Sequence, residues 1–203
     1  MNNVIFGSKS VTPSKIICIG LNYVDHINEL GNELPLEPVI FIKPNSSISN
    51  ELYYDPVDPI HYEGEIAFII EDNQLAGVGF GLDLTKRELQ EKLRAKSLPW
   101  EKCKAFNHAA LFSEFVPFNK DISALSLKLT INDITVQQGG VELMVFKPEY
   151  LLNDILKSFM LEDGDIIMTG TPMGVGAFSQ GDQFIGQIFD ADERLIEQHW
   201  QVR

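Results

Sequence analysis

Glu63-Gly64-Glu65 is the first place in this chain where residue type and spacing suggest chemistry. In an extended strand, residues i and i+2 project from the same face, so the two carboxylates would stand side by side. Like charges held that close are costly unless something neutralises them, and a divalent cation does so best. Asp83, at the end of a glycine-spaced segment, is a candidate third ligand. Three carboxylates with no histidine or thiolate make a hard oxygen site, suited to Mg²⁺, Mn²⁺ or Ca²⁺. On spacing alone, an exposed edge strand with two solvated glutamates is the commoner arrangement.

His26 and Glu29 form a second candidate group. Spaced i, i+3, they share one face of a helix, where the carboxylate can orient the imidazole and leave the other ring nitrogen to take a proton from water. His108 and His199 have no such neighbour and read as structural or exposed, while His61 reads either as a support for Glu63 or as a loop histidine. Lys43 is a site lysine or a strand terminus. TGTPMGVG lacks the lysine and Ser/Thr ending of a phosphate-binding loop, so it reads better as a backbone loop closing over a carboxylate. Trp100, Phe106 and Phe112 read as core.

The elements that must position these groups follow from pattern. Ile16–Ile19 and Val39–Ile42 are short β-branched or apolar runs bounded by glycine or proline, hence strands. Asn22–Leu30 reads as a short helix stopped by Gly31. Glu63–Ile70 is a strand entering the core, and Gly77–Gly81 is a glycine-spaced strand or turn. Thr85 to Lys96 reads as a helix capped by Thr85, with Glu88 three residues on. Leu127–Ile131 and Ile134–Val136 flank Asn132-Asp133 as a hairpin, and Pro148–Met160 is a helix with proline at its start. Ile166–Thr169, Gln183–Phe189 and Arg194–Val202 complete the strands. Strands outnumber helices without alternating with them, which predicts an α+β, mainly β fold.

Composition narrows the classes. The 203 residues are 44% hydrophobic, enough for one core and one domain over 1–203. The net charge of −13 argues against nucleic acid and anionic membrane as partners, and no apolar run reaches membrane-spanning length. The sequence predicts no secretory leader. Two scattered cysteines, Cys18 and Cys103, make neither a disulfide framework nor a zinc site, which fits the cytoplasm.

CIGLNYVDHINEL, FIKP, HYEGEIAFII, GLDLTKRELQ, LPWEKCKAF and MTGTPMGVG occur in that order. Together they resemble the fumarylacetoacetate hydrolase family, particularly its small acylpyruvase-like members, from about Ile16 to the C-terminus. The resemblance implies a mixed β-sandwich roll, usually a homodimer. It implies Glu63, Glu65 and Asp83 as metal ligands and Lys104 beside the metal, steadying a developing enolate. It also implies Arg87, Gln90 and Thr171 as substrate contacts and His26 with Glu29 as the water-activating pair. The chain departs from the family in a shorter segment between Glu65 and Asp83, in AFNHAALF after Lys104, and in Leu21 where some acylpyruvases carry arginine.

The expected reaction is metal-dependent hydrolysis of a carbon–carbon bond in a small 2,4-dioxo acid, giving a carboxylic acid and pyruvate. Oxaloacetate decarboxylation or enol–keto tautomerisation at the same site is the alternative. A relative that binds a chelated 2-oxo acid without turnover is a third reading, and the intact carboxylates and dyad count against it.

Overall fold

Side-chain alternation decides the second half of the chain. Leu125, Leu127, Leu129 and Ile131 are buried while the residues between them are half-exposed, so one face of that strand makes core and the other meets solvent. Asn132 and Asp133 both have positive φ (49° and 64°), the geometry of a tight hairpin whose twist matches its strands.

The computed structural model describes all residues except Leu30 and Asn32. The elements up to the first long helix are β1 (Val4–Phe6), β2 (Lys9–Val11), β3 (Lys15–Gly20), α1 (Val24–Glu29), β4 (Val39–Pro44), β5 (Ile60–Tyr62), β6 (Gly64–Glu71), β7 (Gln74–Asp83), β8 (Thr85–Lys86) and α2 (Arg87–Ala95). They continue with α3 (Glu101–Lys104), β9 (Ala110–Phe112), β10 (Val116–Pro117), β11 (Leu125–Ile131), β12 (Ile134–Gly140), α4 (Pro148–Ile155), β13 (Ile166–Met168), β14 (Gly176–Ala177), β15 (Gln183–Asp190) and β16 (Glu193–Gln201).

A seven-stranded mixed sheet runs β10-β7-β6-β13-β3-β4, with β9 also paired to β7. A four-stranded antiparallel sheet, β12-β11-β15-β16, packs against it. The largest core cluster lies between the two, where Ile66, Phe68 and Phe80 meet Leu127, Leu129, Phe184 and Ile188. Leu151 and Ile155 of α4 pack on Ile17, Ile19, Ile70 and Ile167. This is the expected mainly β sandwich roll. Among the described residues, no helix is long and apolar enough to cross a membrane. Cys18 and Cys103 are free, buried thiols.

The glycine-spaced segment is a strand, and its glycines have a packing reason. A Cβ at Gly77, Gly79 or Gly81 would lie 2.5–2.8 Å from Phe6, Phe115 or Met168 respectively. These larger side chains lie directly on the strand face.

Three boundaries differ from the sequence expectation. Thr85 does not cap α2, which starts at Arg87 with Lys86 as its cap residue. Thr85 is fully buried and pairs with His61, and its hydroxyl accepts a hydrogen bond from Lys104 at 2.6 Å, so it cannot turn to the helix. The helix from Pro148 ends at Ile155 and continues only as turns, and Met160 is exposed. The first short helix spans Val24–Glu29, and Leu30, its expected end, lies outside the described residues. The β1–β2 hairpin has strands too short to show a period in sequence.

Candidate metal centre and active site

The antiparallel register of β6 with β7 assembles the carboxylates. Gly64 pairs with Leu82 and Glu65 with Gly81, and the Asp83 N–H donates to the Glu63 carbonyl at 2.8 Å. Glu63 and Glu65 share a face by strand period, and the neighbouring strand brings Asp83 to the same end of the sheet. All three are buried, and one carboxylate oxygen from each lies within 4.8 Å of the others.

Cations of the protein surround this cluster. Lys104 Nζ donates to Glu63 Oε2 (2.6 Å), Asp83 Oδ2 (2.8 Å) and Thr85 Oγ1 (2.6 Å). Arg87 pairs with Glu63 Oε1 and donates to Gln90 Oε1 at 2.6 Å. Burial would raise the Glu63 pKa, but Lys104 and Arg87 outweigh it and bring it down to about 2. Burial opposes charge on Lys104 as well, yet Asp83 and Glu63 hold its pKa above the ordinary lysine value. Glu65 differs: burial, with Asp83 and Glu63 beside it, pushes its carboxyl well above the usual range. Its Oε2 accepts from the Gly170 N–H at 2.7 Å.

Lys43 is fully buried, and its Nζ sits 2.8 Å from Asp83 Oδ1. Its hydrogens are directed elsewhere, to the carbonyls of Leu84 (3.1 Å), Ala109 (2.9 Å) and Lys104. Asp83 Oδ1 therefore feels the charge but receives no directed hydrogen, and it is a buried oxygen without a hydrogen-bond donor. That orphaned oxygen, the raised Glu65 pKa and an all-oxygen donor set fit a hard divalent cation.

The expected dyad is formed. His26 Nδ1 lies 3.0 Å from Glu29 Oε2, and the Gly174 N–H donates to Glu29 at 3.2–3.3 Å. Gly174 has φ +97°, and a Cβ there would lie 2.1 Å from the Val136 carbonyl oxygen, so only glycine can present that N–H. His26, Glu65, Arg87, Gln90, Lys104 and Thr171 all line one cavity. Its empty space, part of it open to solvent, is about 450 Å³, which suits a small ligand.

Thr171 is in the expected place with its hydroxyl already engaged. It donates to the Gly64 carbonyl (3.0 Å) and accepts from Gln137 Nε2 (2.7 Å). One aromatic expectation changes: Trp100 lines the cavity, 5.9 Å from the Phe41 ring, instead of lying in the core. Phe106 and Phe112 are partly buried against the core clusters. His61 is half-buried on β5 with Nδ1 unpartnered; burial and then Arg87 lower its pKa. His108 and His199 are exposed.

The sequence model of the family described as fumarylacetoacetate (FAA) hydrolase C-terminal matches residues 15–197. The chain belongs to this family. Among fumarylacetoacetate hydrolase relatives, it is 38% identical over 188 residues to the Escherichia coli (strain K12) oxaloacetate tautomerase YcgM, covering 84% of this chain and 86% of that protein. It is 36% identical over 207 residues to the Arabidopsis thaliana mitochondrial oxaloacetate tautomerase FAHD1, covering 90% and 92%. Its fold matches a Pseudomonas aeruginosa fumarylpyruvate hydrolase solved with Mn²⁺ and pyruvate, at TM-score 0.88 and 26% identity, covering 99% and 95% of the two chains.

Within this family fold, Gln137 is the residue that sequence reasoning missed, and Lys43, open in the sequence between a site lysine and a strand terminus, is a buried partner of Asp83. A lysine closing the apolar run VIFIKP was a signal that a charge is carried into the core. Lys43→Met removes one partner of a buried ion pair and strands three carbonyls. We expect a loss of about 3–5 kcal/mol in unfolding free energy, read from urea denaturation. A loss under about 1 kcal/mol would show that Lys43 is not a structural counter-ion.

Proposed function

We propose that this chain is a divalent-cation-dependent enzyme that interconverts the enol and keto forms of oxaloacetate. One catalytic domain over 1–203 would work as a homodimer in the cytoplasm. The observation that carries the reading is the charge of the site. Glu63, Glu65 and Asp83 are equalled in number by Lys43, Lys104 and Arg87, whose ion pairs go to Glu63 and Asp83, and all six are buried or nearly so. A divalent cation then leaves the site with about two positive charges, which favours a dianion such as oxaloacetate over a monoanionic acylpyruvate, while fumarylpyruvate, also a dianion, meets the same charge. The relatives named as oxaloacetate tautomerases support the same choice.

A cation held by Glu63, Glu65 and Asp83 would supply Lewis acidity toward the 2-oxo oxygen. The residues of the chain do the rest. Lys104 and Arg87 would stabilise negative charge as the enol loses its hydroxyl proton. His26 would move a proton between that oxygen and C3. Its Nδ1 is engaged by Glu29, so Nε2 is the nitrogen left to exchange. One proton leaves oxygen and one arrives at carbon, and no water is consumed.

Hydrolysis of a 2,4-dioxo acid is the second reading. It is favoured by the likeness to a fumarylpyruvate hydrolase bound to Mn²⁺ and pyruvate. One assay separates them. With Mg²⁺ present, enol absorbance of oxaloacetate and release of pyruvate are followed together, alongside acetylpyruvate as a second substrate. We expect faster enol decay with no matching pyruvate. Pyruvate from acetylpyruvate without acceleration of enol decay would overturn tautomerisation in favour of hydrolysis.

A further inference from the structure

Gln137 sits on β12, in the sheet that carries none of the proposed ligands, and is 2% exposed. Its side chain reaches across to the site. Oε1 accepts from the Gly64 N–H at 2.8 Å, and Nε2 donates to Thr171 Oγ1 (2.7 Å) and the Pro172 carbonyl (2.8 Å). Thr171 Oγ1 in turn donates to the Gly64 carbonyl (3.0 Å). The result is a closed ring of hydrogen bonds that grips the Gly64 residue by both its N–H and its C=O. The amide has only one sensible orientation, because a flip would set its N–H₂ against the Gly64 N–H and its oxygen against the Pro172 carbonyl.

Gly64 lies between Glu63 and Glu65, and Thr171 belongs to the loop whose Gly170 N–H holds Glu65. A Cβ at Gly64 would lie 3.1 Å from Gln137 Oε1 and 3.0 Å from the Phe80 ring. The glycine of E-G-E is thus explained by the close approach of this amide and that ring. The Gln137 stem also underlies Gly174, whose N–H holds Glu29.

We infer that Gln137 is a positioning residue: its buried amide sets the metal-ligand strand and the substrate-binding loop in register with one another. This rests on the reading that Glu63 and Glu65 hold the cation and that the loop at Thr171 receives the 2-oxo acid. The acceptor half of the amide acts on the ligand strand. The donor half acts on the loop. The two halves can be removed separately.

Gln137→Met removes both halves. Gln137→Glu keeps an acceptor for the Gly64 N–H and, when ionised, loses both donors. The test measures Mn²⁺ and pyruvate dissociation constants by titration calorimetry on folded proteins, pyruvate at saturating Mn²⁺. Supporting groups behind metal ligands are typically worth 10–100-fold in affinity. Gln137→Met should therefore weaken Mn²⁺ by about tenfold or more. Gln137→Glu should bind Mn²⁺ close to wild type and weaken pyruvate by about tenfold. The pyruvate loss should also be non-additive with Thr171→Val, because the two side chains share one hydrogen bond. A purely structural role would weaken both ligands together in both variants, and that result would overturn the inference. So would unchanged Mn²⁺ and pyruvate affinities in Gln137→Met. Failure of the wild-type protein itself to bind Mn²⁺ would overturn the underlying metal-site reading, and the inference with it.

Discussion

Stripping divalent cations with EDTA is expected to abolish turnover, and adding Mg²⁺ or Mn²⁺ back should restore it. Glu65→Ala should produce the same loss without recovery. Glu63 and Asp83 are paired with Lys104, Arg87 and Lys43, whereas Glu65 is held by a backbone N–H and is pushed toward its protonated form by burial and its acidic neighbours. Its ionised state depends on an added cation more than that of the other two. Lewis-acid stabilisation of a developing enolate is worth several kcal/mol, so the fall in kcat/KM should reach about 10³-fold or more. Stability should move the opposite way. Without cation, Glu65→Ala removes a crowded buried carboxyl, and its thermal midpoint should equal or exceed that of wild type. With cation, wild type should gain by mass action and the variant should not. Full turnover in a sample shown by elemental analysis to hold no divalent metal would falsify the proposed centre.

The parts of this site that were legible in the sequence are those carried by local pattern. Glu63 and Glu65 share a face because strand period is two, and His26 meets Glu29 because helical neighbours recur at three. The hairpin at Asn132-Asp133 and the start of α4 at Pro148 are equally local. What escaped, or stayed open, depends on partners distant in sequence. Lys43 faces Asp83, forty residues away, and Gln137 reaches Gly64 from the opposite sheet. Nothing in QQGG signals that one glutamine of the pair turns inward. The capping pattern at Thr85 failed for the same reason, since Lys104 competes for the hydroxyl from a helix the local window does not contain. Trp100 reads as core in the sequence because size and apolarity do not tell a core from a cavity wall.

His26→Ala is expected to slow enol–keto exchange of oxaloacetate by about 10²–10⁴-fold, the usual contribution of a positioned acid–base group. The imidazole is buried, lines the cavity, and is held through Nδ1 by Glu29, which is itself fixed by the Gly174 N–H. Three consequences follow from that arrangement. Mn²⁺ affinity should hardly change, because His26 is not one of the clustered carboxylate ligands. Glu29→Gln should cost nearly as much as His26→Ala, since the amide loses the supporting charge and can donate to Nδ1, which holds the ring in the wrong tautomer. Residual activity in His26→Ala should remain cation-dependent, because Lys104, Arg87 and the metal can still stabilise the enolate while bulk water delivers the proton. Enol decay, corrected for the uncatalysed rate, should be measured on the same preparations as metal content. A His26→Ala protein that ketonises oxaloacetate as fast as wild type at full occupancy would remove the dyad from the reaction. The proton would then have to pass through Lys104, the titratable group in the same cavity that already contacts two of the three ligand carboxylates.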